Sequence, residues 1–290
     1  MTPIGKLVVV GVGLIGGSLA LALRDKGLVA EVVGVGRGRR NLDEALRLAI
    51  IDRAEDDYAR ALAGAGVVLV ATPVAQMPQV LARLAPLIEP QTIVTDGGST
   101  KQDVIAAARA ALGAKFGRFV PGHPIAGTEH TGAGAAFPEL FRNRKVVLTP
   151  EPETDRAATA TIRAMWEATG ASVIDMPADR HDAILAAVSH LPHLLAFALV
   201  EELALRPDAA EYFRFAAGGF RDFTRIASSS PEMWRDIAVA NRATLLEELR
   251  RYRGQVERLE SLVAAGDGDG LFRMFATARD ARNDWLARQA

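Results

Sequence analysis

Leu7-Val8-Val9-Val10 runs straight into Gly11-Val12-Gly13-Leu14-Ile15-Gly16, and an alanine- and leucine-rich segment follows to about Lys26. No other stretch limits the fold so sharply. A short β-branched run without alternation reads as a strand buried on both faces, as in a parallel sheet. The glycines stand where that strand must turn into a helix. The first makes the turn, and the second lets backbone approach a pyrophosphate. The third lets helix and strand pack, with the helix N-terminus facing the phosphate charge. In this setting the spacing predicts a dinucleotide site built from Gly11, Gly13, Leu14, Ile15 and Gly16.

The βα alternation continues. A second strand, Val32 to Val35, ends in Gly36-Arg37-Gly38-Arg39-Arg40. A site for NAD normally places Asp or Glu near this point to accept from the ribose 2′-hydroxyl. Arg37, Arg39 and Arg40 stand there instead. They suit a 2′-phosphate, which makes NADP the expected cofactor ahead of NAD, or they form a solvated basic loop. Further strands are expected at Val67–Ala71, Thr92–Thr95, Phe119-Val120, Arg144–Thr149 and Ser172–Asp175. Helices are expected over Val74–Leu84, from about Gln102, and over Thr154–Thr169. Together they describe a doubly wound Rossmann-type sheet of roughly eight strands. Thr72-Pro73 closes one strand at the cofactor edge. Ser99, in Asp96-Gly97-Gly98-Ser99-Thr100-Lys101, sits where strand meets helix and serves either as an N-cap or as a hydroxyl offered to a ligand.

From Pro177 the strand signals stop, so the chain divides into a cofactor domain, 1–176, and an all-α domain, 177–290. A length of 290 residues fits about two domains. A first long helix, Asp179 to Leu205, should kink at Pro192. A second, Pro231 to Ala264, carries an apolar stripe of Leu245, Leu249, Tyr252, Val256 and Leu259, the kind of face that buries against a twin in a homodimer. Gly266-Asp267-Gly268-Asp269-Gly270 lacks the ligand spacing of a calcium loop and reads as a turn. A net charge of −1 gives no support for nucleic-acid binding. The absence of cysteine excludes disulfides and thiolate metal sites and fits a reducing cytoplasm. No apolar run reaches the roughly 20 residues that span a bilayer, so no membrane is expected.

Several stretches hold candidates for chemistry. In Gly122-His123-Pro124-Ile125-Ala126-Gly127-Thr128-Glu129, Pro124 fixes its own φ and biases His123 towards an extended backbone. A histidine held so in a loop suits a general base, although it could also cap a turn. Ser189-His190-Leu191-Pro192-His193 places two histidines around a proline. No further ligand stands at a suitable offset, so no metal is expected. One of the pair reads as a core residue and the other as a substrate contact. Gly218-Gly219-Phe220-Arg221-Asp222-Phe223-Thr224-Arg225 reads as an anion clamp over an apolar floor, or as a salt-bridged surface. Trp234 is placed to close that pocket.

Gly11 to Ser18, Asp96 to Lys101, Gly122 to Glu129, Ser189 to His193 and Gly218 to Arg225 stand in the order and approximate spacing of the prephenate/arogenate dehydrogenase family of tyrosine biosynthesis. The resemblance covers nearly the whole chain. It implies that NAD(P)+ takes hydride from the ring carbon bearing the 4-hydroxyl, and that loss of the ring carboxylate as CO2 leaves an aromatic product. It also implies that His123 accepts the hydroxyl proton, with Ser99 hydrogen-bonded to the same site. Arg225 resembles the substrate-carboxylate anchor, His193 a pocket residue, and Glu129 and Asp222 pocket acids. The length leaves no room for a fused chorismate mutase or regulatory domain, so any inhibition by tyrosine should act at or near the active site. The competing readings are a 3-hydroxyacid-type dehydrogenase, for which no catalytic lysine stands in a convincing place, and a cofactor-binding dimer without chemistry.

Overall fold

The structure, a computed structural model, describes residues 2–128 and 130–288. It begins with β1 (Ile4–Val10), α1 (Leu14–Asp25), β2 (Val29–Val35), α2 (Arg39–Arg47), β3 (Arg53–Glu55), α3 (Tyr58–Leu62) and β4 (Val67–Val70). Next come α4 (Met77–Leu84), β5 (Ile93–Asp96), α5 (Gln102–Leu112) and β6 (Phe119–Val120). These six strands form one wholly parallel sheet in the order β3-β2-β1-β4-β5-β6. Strand periodicity explains its two-sided core. Leu7 and Val9 of β1 and Val67 and Leu69 of β4 face one apolar cluster, while Val8, Val10, Val68 and Val70 face the other. The chain reverses direction across the sheet between β1 and β4, which opens a crevice at their carboxyl ends.

The expected single sheet of roughly eight strands is in fact two sheets. β7 (Gly122–Ile125), β8 (Lys145–Leu148) and β9 (Ser172–Asp175), with α6 (Arg156–Ala168) between the last two, form a separate three-stranded sheet. β7 runs antiparallel to β8 and pairs His123 with Val147. His123 therefore lies on a strand, not in a loop. Pro124 concealed this, because a residue without an N–H argues against a strand except at a sheet edge, and β7 is an edge.

The helical region follows as α7 (Ala178–Leu185), α8 (Leu191–Ala204), α9 (Ala209–Phe215), α10 (Gly218–Thr224) and α11 (Pro231–Ala240). α7 and α8 are joined by a π-helical turn, Ala186–His190, immediately before Pro192. Pro192 offers no N–H to the preceding turn, and widened hydrogen bonding there accommodates the loss. The helical run Ala178–Ala204 reaches a mean hydropathy of 1.9 over its most apolar window, so by length and composition it could cross a membrane. Its apolar residues are nonetheless interrupted, by Ser189, His190 and His193. The long helix expected from Pro231 to Ala264 is also two, because α11 ends at Asn241 and α12 (Arg242–Ala264) begins anew. The Asn241 side chain explains the break: its amide donates to the Asp182 carbonyl at 2.9 Å and lies 3.2 Å from His190 Nδ1.

By compactness the chain forms one unit, Met1–Arg242, and a second, Ala243–Ala290. The first extends past Pro177 because Trp234 and Ile237 of α11 share the apolar cluster of Val74, Met77 and Val80. The second is a helical hairpin of α12 and α13 (Gly268–Ala287), in which Asp267 caps α13 by accepting from the Gly270 N–H at 2.8 Å. The acidic segment is therefore a turn only as far as Asp267, and Gly268, Asp269 and Gly270 form the first turn of α13. Tyr252, Val256, Val263, Phe272, Phe275 and Trp285 of this hairpin are exposed.

Candidate active site

At the fingerprint each glycine has its own reason. Gly11 has φ +98°, and a Cβ there would stand 2.6 Å from the Ala71 carbonyl oxygen. A Cβ at Gly16 would meet Val9 Cγ1 at 2.5 Å and the Gly11 oxygen at 2.6 Å. Gly13 meets nothing within 4 Å, so the open space lies where a phosphate would approach the start of α1. A cleft of about 710 Å³ opens here, lined by Gly11, Gly13, Arg37, Asn41, Thr72 and Pro73 among others. Thr72 Oγ1 is buried in it without a hydrogen-bond partner among the described residues, a polar atom that a ligand would satisfy. Of the three arginines only Arg37 lines the cleft. Arg39 pairs with Asp43 at 2.9 Å, one turn along α2, and Arg40 is exposed.

Beyond the carboxyl end of β5 lies a buried polar cluster. Asp96 accepts from the Gly98 N–H at 2.8 Å and from the Gly122 N–H at 3.0 Å. Lys101, wholly buried, pairs with Asp96 and donates to the Gly122 carbonyl at 2.8 Å. One ion pair thus clamps the backbone of Gly122, and with it the position of His123. Ser99 is half-buried in the same loop and does not cap α5. The cap comes instead from Asp182, whose carboxylate accepts from the N–H groups of Lys101 and Gln102 at 2.8 and 3.0 Å.

Asp182 also faces His181 Nδ1 at 2.8 Å, and His181 Nε2 lies 2.8 Å from His123 Nδ1. Burial opposes ionisation of Asp182, but hydrogen bonds from His181 and the two N–H groups outweigh it and hold its carboxyl below the usual range. An ionised carboxylate only accepts, so His181 carries a proton on Nδ1, and in the neutral ring its Nε2 is bare and accepts from His123. His123 must then carry its proton on Nδ1, which leaves its own Nε2 bare. The chain of three side chains presents a neutral imidazole with a free lone pair, as a general base requires. Burial, then the proximity of His181, Lys101 and His190, holds His123 well below the usual histidine range, so it stays unprotonated near neutrality.

His190 and His193 diverge. His190 is buried against Asn241, and burial lowers it to about 4. An unfolded histidine titrates near 6.5, so the folded state takes up this proton less readily. Stability is therefore unaffected above about pH 6.5 and falls by about 3 kcal/mol as pH drops towards 4. Urea unfolding across that range should show a shallower loss in His190→Gln, and equal slopes in the two proteins would disprove the assignment. His193 is half-buried, and its Nδ1 lies 2.8 Å from the Ser189 carbonyl. Its ring stacks on Trp234 at 3.6 Å between centroids. Burial lowers its pKa, the Ser189 bond opposes this, and the charge of Arg225 adds to the lowering. Arg225 and His193 therefore belong to one neighbourhood. Trp234 is buried, and its Nε1 has no hydrogen-bond partner among the described residues.

The candidates on α10 are open to solvent. Gly218, Arg221 and Asp222 are exposed, the last two paired at 3.8 Å. Phe220 lines a separate cavity of about 560 Å³ with Tyr212, Phe213 and Phe215. Glu129 lies outside the described residues. Among those described, no three His, Cys, Asp or Glu side chains are grouped to hold a metal. The residues that sequence reasoning missed are His181, Asp182, Asp96 and Lys101. The one local signal was a His-Asp pair at the start of the first apolar helix after Pro177.

A parallel sheet with a glycine turn at its reversal point, in a chain that also holds the buried run Asp182–His181–His123, marks an NAD(P)-dependent oxidoreductase. The nucleotide-binding domain of prephenate dehydrogenase matches residues 19–175, and the prephenate dehydrogenase dimerization domain matches residues 177–277. The chain belongs to the prephenate dehydrogenase family, which serves tyrosine biosynthesis. It is 37% identical to a prephenate dehydrogenase of Bacillus subtilis, over 98% of this chain and 76% of the relative. It is 36% identical to a cyclohexadienyl dehydrogenase of Zymomonas mobilis, over 97% and 96%. The crystal structure of prephenate dehydrogenase from Aquifex aeolicus, in complex with hydroxyphenyl propionate and NAD+, superposes with a TM-score of 0.91 at 32% identity, covering 97% of this chain and 98% of that one. An arogenate dehydrogenase from Synechocystis gives 0.80 at 31%, covering 97% and 99%.

Proposed function

We propose that this chain oxidises and decarboxylates prephenate or arogenate, giving 4-hydroxyphenylpyruvate or tyrosine. The observation that carries the reading is the buried run Asp182–His181–His123, with contacts of 2.8 Å at each step, which favours a bare Nε2 on His123. NAD(P)+, when bound, supplies the hydride acceptor. The protein's residues do the rest. His123 takes the proton of the ring hydroxyl, and Ser99 hydrogen-bonds at the same centre. The resulting ketone is conjugated to the carboxylated carbon, so loss of CO2 is driven by aromatisation and needs only position and charge complementarity. Arg225 anchors a substrate carboxylate beside His193, whose ring Trp234 holds by stacking. Gly218, Asp222 and Glu129 complete the substrate half. The test is kcat/KM for both substrates with both cofactors, and failure of all four combinations to yield reduced nicotinamide would refute the reading.

The cofactor lies along Gly11, Gly13, Leu14, Ile15 and Gly16, with Thr72 and Pro73 opposite. NADP+ is the preferred oxidant, because β2 ends without a carboxylate and Arg37 faces the cleft. Arg40 and the Asp43-paired Arg39 supply only background charge. Arg37→Ala should raise KM for NADP+ about tenfold or more, the value of a charge-assisted bond, and leave KM for NAD+ within about twofold. Equal changes for the two cofactors would remove Arg37 from selectivity.

The functional boundary falls between residues 176 and 177. A homodimer forms through the helical half, covering the exposed apolar side chains of α12 and α13 and the apolar run of α7 and α8 in place of a membrane. The cysteine-free composition suits the cytoplasm.

A further inference from the structure

The chain Asp182–His181–His123 does more than aim a ring. A cation on His123 would be buried and would face Lys101, and His190 adds to the opposition. A cation on His181 would stand 2.8 Å from the Asp182 carboxylate. Both rings meet nitrogen to nitrogen at 2.8 Å, with ring planes at 69°. Nothing but a proton need move between them.

We infer that His181 is a relay residue, which holds the substrate's hydroxyl proton equivalent during turnover. The inference rests on the reaction proposed above. As hydride leaves the ring carbon, the O–H bond breaks and its proton bonds to His123 Nε2. The Nδ1–H of His123 breaks in turn and its proton bonds to His181 Nε2, so that the positive charge rests against Asp182. Decarboxylation then delivers the electron pair of the C–C bond into the ring and leaves a phenolate oxygen. The proton movement reverses, His123 Nε2 returns a proton to that oxygen, and both histidines regain their starting tautomers. The step consumes no co-reactant, and no proton is gained or lost by the protein.

The relay differs from mere positioning in one respect, because a positioning residue need only accept a hydrogen bond. Glutamine at 181 can accept from His123 Nδ1 with Oε1 and donate to Asp182 with its amide, but it cannot take up a proton. His181→Gln should lower kcat at least about tenfold while KM for substrate and cofactor stays within about twofold. His181→Phe, which also loses the hydrogen bond to His123, should lose more. If His181→Gln turns over within about twofold of wild type, His181 only positions His123 and the relay is wrong. Nitrogen-15 NMR of the wild-type imidazoles adds a readout that needs neither turnover nor a variant. At neutral pH it should show His123 protonated on Nδ1 and bare on Nε2, and the opposite tautomer would overturn the relay. A wild type that reduces no cofactor with either substrate removes the reaction and the relay together, whereas an active wild type with an unimpaired His181→Gln removes the relay alone.

Discussion

Replacing His123 with asparagine will lower turnover by about 10²–10⁴-fold, the usual cost of removing a general base. Binding of cofactor and substrate should change little, because asparagine keeps polar contact but accepts no proton at neutral pH. The direction of the histidine's pKa sharpens the expectation. Burial, then the proximity of His181, Lys101 and His190, holds it well below the ordinary value, so the wild-type base is already unprotonated at pH 7. Lowering the pH to 6.5 should therefore leave kcat/KM nearly unchanged, and an acid limb attributable to His123 lies well below that value. Steady-state rates for wild type and His123→Asn across this range measure both effects. Turnover by the variant near the wild-type rate would exclude His123 as the base.

Lys101→Met will destabilise the fold by about 3–5 kcal/mol, the range for breaking a buried ion pair by removing one partner. Lys101 and Asp96 are both essentially inaccessible to water. Methionine matches the length of the stem but leaves the Asp96 carboxylate without its counter-ion. The Gly98 and Gly122 N–H groups still donate to Asp96, which places the effect towards the lower end of the range. Activity should fall as well, because the Gly122 carbonyl loses the ammonium that fixes the start of β7. Urea unfolding read by tryptophan fluorescence, with kcat/KM measured on the folded fraction, separates the two losses. A variant within about 0.5 kcal/mol of wild type would show that the pair contributes nothing net.

What the sequence revealed follows the range of the forces involved. The glycine turn was legible because strand, turn and helix start are successive residues, although the contact that forbids a Cβ at Gly11 comes from Ala71 on the neighbouring strand end. β7 was not, because Pro124 mimics a loop unless its edge position is known. His123 stood out by its own flanks, but its partners did not. His181 lies 58 residues from His123, and Asp182 caps a helix start 81 residues away. No spacing rule connects such positions; only packing does. The same holds for the break at Asn241, where a side chain satisfies a carbonyl and a histidine ring 59 and 51 residues distant. Arg39 and Arg40 were grouped with Arg37 by adjacency, whereas the start of α2 turns successive residues to different sides and leaves only Arg37 on the cleft.

In the proposed mechanism a buried neutral imidazole couples removal of a hydroxyl proton to hydride loss and decarboxylation. Wild-type protein incubated with prephenate and NADP+ tests it most directly, with reduced nicotinamide followed by absorbance and the aromatic product quantified by chromatography. One equivalent of 4-hydroxyphenylpyruvate is expected for each equivalent of reduced cofactor, with both signals lost together in His123→Asn. Reduced cofactor without an aromatic product, or equal yields from the His123→Asn protein, would contradict it.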